Sequence, residues 1–323
     1  MSAIAVATAL AAVLAAAALW VDGPASRGLA GSLAAAFALA CVVSAARVRP
    51  ARRAALVVLV LAGAVAVWWL RIPPRNDRDW LPEVARTARA TVAGDHLTIE
   101  NVRAFRWRSE TDFDEHWETR SWNLARLTGA DVFFSQWDSP YILHTIVSWT
   151  FSDAPPLAIS IETRKERGET YSAVRGFFRQ FELYYVVADE RDVIALRAGP
   201  RGEQVRLHHV RMPLPEARAI LLDYLRELNE LAERPRWYNA LTHNCTTSIR
   251  QHVQLAGRQS PWSWKILVNG FLEERMYERG AVDTSLPFAT LRARSDVTAR
   301  ARAAQDDPAF SLRIREGLPG SLP

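Results

Sequence analysis

The stretch YILHTIVSWTFSDAPPLAISIE, residues 141–162, reads as two strands and the turn that joins them. Residues 141–151 are rich in β-branched and aromatic side chains, 152–156 carry the Ser, Asp and Pro of a turn, and 157–162 alternate apolar with polar. The antiparallel hairpin puts His144 inside an apolar run, where a polar ring is costly unless it has partners. Pairing around the turn brings Ser160 or Glu162 near it. Of the two, Glu162 is able to accept a hydrogen bond from the imidazole and so fix its tautomer.

Working outward, residues 96–102 (HLTIENV) alternate with period two, and 117–124 and 131–137 are further strand candidates. Beyond the hairpin, Val174, Phe177, Phe178 and Phe181 recur at spacings of three and four, which predicts a helix over 171–181. Residues 182–188 and 204–211 are expected strands. Residues 215–233 carry a continuous stripe of Ala217, Ile220, Leu221, Tyr224, Leu225, Leu228 and Leu231, the clearest helix of the domain. After a turn at Arg234-Pro235, WYNALTHNCTTSIR (237–250) leads into a helix that ends by Gly257. Hairpins mixed with amphipathic helices make an α+β domain.

The N-terminal part is of another kind. Residues 2–21, 28–46 and 54–70 carry no charge, and about 17–20 apolar residues suffice to cross a bilayer. A signal peptide is the competing reading for the first stretch, but Met1-Ser2-Ala3 supplies no positive n-region. Residues 47–53 (RVRPARR) hold four arginines, so this loop is expected in the cytoplasm and the third span leads outward, with Trp68 and Trp69 at the outer interface. The segment 1–73 has six arginines and one aspartate, a net charge of +5, which equals that of the whole chain. The rest is neutral, and its charge gives no case for nucleic acid.

There are two cysteines, and Cys41 lies in the second apolar stretch. Cys245 therefore stands alone outside the membrane, where thiols are usually paired or avoided; such a residue is either a buried packing group or kept for its reactivity. Asn244 is a favoured N-cap type, and Ile249 and Val253 begin the helical spacing, so Cys245 is expected at a helix start. There the helix dipole should lower the thiol pKa. Backbone N–H groups around Asn244 and Thr246 should face outward, ready to hold an oxyanion.

A thiolate needs a base and the base an orienting partner. Of seven histidines, His208 and His209 point to opposite faces of one strand, His243 lies on the loop side of Cys245, and His252 is expected on the surface of its helix. His144 is the expected base, with Glu162 behind it. Arg164 and Lys165, in the charged run 162–167, are candidates for a phospholipid headgroup, and Trp262 and Trp264 for the membrane interface or the core. No glycine-rich phosphate loop or metal-ligand spacing occurs, so neither metal nor cofactor is expected.

The runs HTIVSW, SIETRKERGE, GFFRQFELYYVVADERDV and WYNALTHNCTTSIR resemble the N-terminal periplasmic domain of Lnb-type lipoprotein N-acyltransferases, over roughly residues 79–309. The resemblance implies a circularly permuted papain-like fold, histidine before cysteine, preceded here by three transmembrane helices. It places the nucleophile on Cys245 and the base on His144, with Glu162 preferred to Ser160 as third member. It further implies acyl transfer through a thioester, from a phospholipid to a lipoprotein amine or to water, at the periplasmic face of a bacterial inner membrane. A cell-wall peptidase or amidase and a non-catalytic envelope scaffold are the alternatives. In layout the chain departs from Lnb proper, whose spans follow the periplasmic domain. The expected organisation is an anchor at 1–73, a linker at 74–79, the catalytic domain at 80–310 and a tail at 311–323.

Overall fold

The structure, a computed structural model, describes residues 3–320. Three helices come first, α1 (Ala3–Val21), α2 (Arg27–Arg47) and α3 (Ala51–Leu70). Strands β1 (Arg89–Ala93), β2 (His96–Arg103), β3 (Arg106–Trp107), β4 (Phe113–Asp114), β5 (Trp117–Asn123), β6 (Leu127–Gln136), β7 (Leu143–Phe151), β8 (Leu157–Arg164) and β9 (Glu182–Ala188) follow. Then come α4 (Glu190–Ala198), β10 (Gln204–His209), α5 (Leu214–Glu233), α6 (Cys245–Leu255), α7 (Trp264–Leu267), α8 (Leu272–Glu278), α9 (Phe288–Arg294), α10 (Thr298–Ala303) and α11 (Phe310–Arg313).

The chain divides into two compact units. One holds α1–α3 together with Thr170–Glu182 and Trp237–Asn239. Its helices, of 19, 21 and 20 residues, are each long and apolar enough to cross a membrane. Asp22, just past α1, accepts the Trp69 indole N–H at 2.5 Å near the end of α3, so both helices end on the same side, as the charge of the loops requires. The first span was expected from Ser2, which lies outside the described residues.

The segment 171–181 is not the expected helix. It forms turns and a short 3-10 stretch, Arg175–Phe177. Its polar groups are spent elsewhere: the Arg179 N–H and the Gln180 amide donate to Asp22, and the Arg179 guanidinium donates to Ile72 O. The buried Gly176 in the middle also weakens a helix.

The second unit is built on a sheet of order β1-β2-β9-β8-β7-β6-β10, with β5 also paired to β2. The β7–β8 hairpin is antiparallel as expected, and its register runs from Trp149↔Leu157 to Ile146↔Ser160. β6 and β9 are buried along nearly their whole length, which is why they read as apolar runs rather than alternating ones. One face of the sheet (Phe133, Ile146, Ala158, Val186) packs on Val193 and Ile194 of α4, Ala301 of α10 and Phe310 of α11. On the opposite face Trp149 meets Tyr224 of α5 edge-on at 4.9 Å.

The chain beyond 310, expected as a tail, belongs to this core as far as Leu318. Ile314 is fully buried, and Arg315 donates to Glu190 and Asp131 at 2.5–2.8 Å. Its alternation of charged and apolar residues resembles a solvated tail, and Arg313 and Glu316 are indeed exposed, whereas Arg315 is paired inside. Residues 321–323 of the expected tail lie outside the described ones. The expected linker is also pinned, since the Asn76 amide donates to Leu231 O and Ala232 O.

Arg315→Ala would leave Glu190 and Asp131 buried without their shared cation, a change that costs about 3–5 kcal/mol. The urea midpoint of the variant should fall accordingly; an unchanged midpoint would mean that the C-terminal residues add nothing to the fold.

Candidate active site

Cys245 is the first residue of α6. Asn244 caps the helix: its side-chain oxygen accepts the Thr247 N–H at 2.9 Å, and the Thr247 hydroxyl accepts the Asn244 N–H at 3.0 Å. This box satisfies the third donor of the first turn, while the amides of Cys245 and Thr246 stay outside the intrahelical ladder. The sulfur is approached by the backbone N–H groups of Thr145 and Thr246, and the Thr246 hydroxyl lies at 3.8 Å. Thr145 stands one residue beyond the last β7–β8 pair, where its N–H is released from the ladder for the thiol.

Asn269 holds the cysteine helix to the histidine strand. Its amide accepts from Leu143 N at 3.0 Å, donates to Leu143 O at 2.7 Å and donates to the Thr246 hydroxyl at 3.2 Å. The neighbouring Gly270 is needed for this approach, because a Cβ there would stand 2.2 Å from Pro140 O.

His144 lies in β7 and its ring Nε2 is 2.7 Å from the Ser160 hydroxyl. Ser160 donates to Glu162 at 2.8 Å, and Glu162 also accepts from Arg197 of α4 at 2.9 Å. A hydroxyl that donates to a carboxylate must accept from the ring, so Nε2 carries the proton and Nδ1 is the basic nitrogen. The direct partner of His144 is therefore Ser160. Glu162, the expected one, stands behind it at 3.8 Å from Nε2. Among the described residues no hydrogen bond joins His144 to Cys245, although the two flank Thr145, His144 through the chain and Cys245 through its sulfur.

The electrostatics differ from expectation. Burial pushes the Cys245 thiol above its usual pKa, and hydrogen bonds from Thr145 and Thr246 and the charge of Arg197 oppose this only in part. A helix terminus is worth about 0.3–1 kcal/mol at an exposed site, and desolvation outweighs it here. Burial, then the positive charge of Arg197, lowers His144 to about 3. Glu162 is held well below the carboxylate range: burial works against its charge, but Arg197 and other cations more than offset it. At neutral pH the pair is thus a neutral thiol and a neutral imidazole beside an ionised carboxylate.

Two further expectations are corrected. Arg164 is buried, donates to Val84 O, Ala85 O and the Asn76 amide oxygen, and lies 4.3 Å over the Trp80 ring. It ties protein segments together and does not face a headgroup. Lys165 stands 3.9 Å from Glu83. His252, expected at the surface, is buried between Asp223 (2.6 Å) and the Tyr185 hydroxyl (2.8 Å). The buried face of α6 is Cys245, Thr246, Ser248 and His252, so its polar residues face inward and Ile249 and Val253 line a cavity instead. His208 and His209 do diverge, to Glu273 and to Asp131. Arg197, Asn269 and the backbone of Thr145 had no sequence signal as site groups. Among the described residues no group of three or more His, Cys, Asp or Glu side chains is placed to hold a metal.

A cavity of about 180 Å³ is walled in part by Thr145 and Thr246, the two residues whose backbone N–H groups approach the sulfur. Two buried hydroxyls in the same wall, those of Thr145 and Tyr224, have no hydrogen-bond partner. Each such group costs about 1–3 kcal/mol.

Residues 113–270 match the family model described as the Lnb N-terminal periplasmic domain, the family anticipated from the sequence motifs. The matched span contains His144, Ser160, Glu162, Arg197, Cys245 and Asn269. No curated protein and no solved structure matches the chain.

A thiol raised above 9.0 beside a neutral imidazole ionises only as pH climbs towards that value. The rate of Cys245 alkylation by iodoacetamide is expected to rise steadily from pH 6 to pH 9; a plateau across this range would reveal a preformed thiolate–imidazolium pair. Gly270→Ala should cost about 1–3 kcal/mol, the usual penalty of an overpacked site, with Asn269→Ala as a control that loosens the clamp without a clash. An equally stable Gly270→Ala protein, by thermal melting, would show that the contact yields freely.

Proposed function

With an Lnb N-terminal periplasmic domain at residues 113–270 as premise, we propose that the protein is a cysteine-dependent acyltransferase working through a thioester. The observation that carries this reading is the line Arg197–Glu162–Ser160–His144, which leaves Nδ1 as the base beside the strand residue that contacts the Cys245 sulfur. In the proposed first step Nδ1 takes the thiol proton as the sulfur attacks an ester carbonyl. The amides of Cys245 and Thr246 hold the oxyanion, and the imidazolium returns the proton to the departing alcohol. The thioester then passes its acyl group to an amine or to water, whose proton His144 accepts and gives to the sulfur. A phospholipid donor and a lipoprotein amine as acceptor fit an anchor of three apolar helices.

We read the domain as a circularly permuted papain-like one, because the strand with the histidine precedes the helix with the cysteine. The arginine-rich loop between α2 and α3 is assigned to the cytoplasm of a bacterial cell and the catalytic unit to the periplasm. The non-catalytic scaffold keeps one observation in its favour, namely that Cys245 is only 7% exposed.

Intact mass of the detergent-purified protein after incubation with bacterial phospholipid tests the proposal. A hydroxylamine-sensitive acyl adduct is expected on the wild type and absent from Cys245→Ser and His144→Ala. No adduct on the wild type would overturn the acyltransferase reading and favour the scaffold.

A further inference from the structure

The cavity bounded by Thr145 and Thr246 has two kinds of wall. Val132, Val147, Ile220, Ile249, Val253 and Met276 make an aliphatic lining. Its volume, about 180 Å³, is close to that of an apolar cavity of about 150 Å³ that holds benzene. It therefore suits a segment of hydrocarbon chain rather than a whole lipid. The unpartnered hydroxyls of Thr145, whose backbone N–H meets the sulfur, and of Tyr224, which senses the charge of Cys245, are the polar exceptions, and both are able to donate to a carbonyl.

Arg250, Arg258, Arg275 and Arg279 also line the cavity. Arg258 is matched by Glu216 at 3.2 Å. The other three meet only backbone carbonyls, those of Ser260, Pro261 and Gln259, and among the described residues none has a carboxylate within 4.0 Å. They also repel one another: burial and then the charges of Arg279 and Arg250 weaken the hold of Arg275 on its proton, and the charge of Glu278 opposes this only in part. Three guanidinium groups lining one cavity, none in an ion pair among the described residues, form a site for an anion, and Arg is the residue best suited to a phosphate. Trp262, exposed beside Arg250 at 6.0 Å, adds an amphipathic ring of the kind found at membrane interfaces.

We infer that the cavity binds an aliphatic ester whose head carries a net negative phosphodiester, with the chain against the aliphatic wall and the phosphate on Arg250, Arg275 and Arg279. The inference rests on the acyl-transfer reading for the identity of the ester and adds to it a headgroup preference. Arg250, Arg275 and Arg279 discriminate between donors, and Thr145 and Tyr224 satisfy the ester oxygens.

The test uses the full chain with Cys245→Ser, in which no acyl transfer takes place, in maltoside micelles, with lipid adducts counted by native mass spectrometry. One equivalent of dihexanoyl phosphatidylglycerol should bind at least tenfold more tightly than dihexanoyl phosphatidylcholine. Arg275→Gln with Arg279→Gln should erase that preference, and Val253→Phe, checked for folding by its melting curve, should weaken both lipids. Equal binding of the two lipids, unchanged by the arginine substitutions, would overturn the inference. So would complete displacement by inorganic phosphate alone, which would mark a free-phosphate site. Selective binding without any thioester on the wild type would remove the acyl-transfer reading and leave the site. Thioester formed equally from both lipids would leave the chemistry and remove the headgroup preference.

Discussion

Arg197 carries a positive charge into a place that bulk water hardly reaches, and two carboxylates, Glu162 at 2.9 Å and Glu203 at 3.2 Å, hold it there. Removing either partner from such a buried pair leaves an uncompensated charge, so this group adds an ionic tie between helix α4 and strand β8 to their apolar packing. The effect passes along the hydrogen bonds. Arg197 keeps Glu162 ionised, an ionised Glu162 can only accept, and Ser160 must therefore donate to it and accept from the ring. The protonation state of a histidine in β7 is thus set by a cation on another secondary-structure element.

The same cation has a cost for the chemistry. Its charge, added to burial, keeps His144 neutral, and burial keeps the proton on Cys245. A site of this kind stores no thiolate. Because the thiolate is the reactive form, a thiol that keeps its proton is protected from oxidants and disulfide exchange.

The hairpin, the capped helix that begins at Cys245 and the long α5 were legible because each depends on local pattern: alternation, an Asn before a helix, a stripe of apolar residues. The partners of His144 were legible only as alternatives, since pairing around a turn gives neighbours but not which oxygen reaches the ring. Arg197 was not legible. It lies in ERDVIALRA, where Glu190, Asp192 and Arg197 resemble a solvated surface and are in fact all buried and paired. His252 misled for a related reason, because the hydrogen bonds that make a polar face suitable for burial, here to Asp223 and Tyr185, come from distant segments. For 171–181 the apolar spacing was real, but Asp22 and Ile72 took the polar groups that a helix would have kept.

The pairing of Arg315 with Asp131 spans 184 residues of sequence. During synthesis the strands that carry His144 and Asp131 leave the ribosome long before the residues that neutralise Asp131 and Glu190 and cover the sheet with Phe310 and Ile314. The face of the sheet that carries His144 is therefore complete in sequence before the segment that covers it has been made.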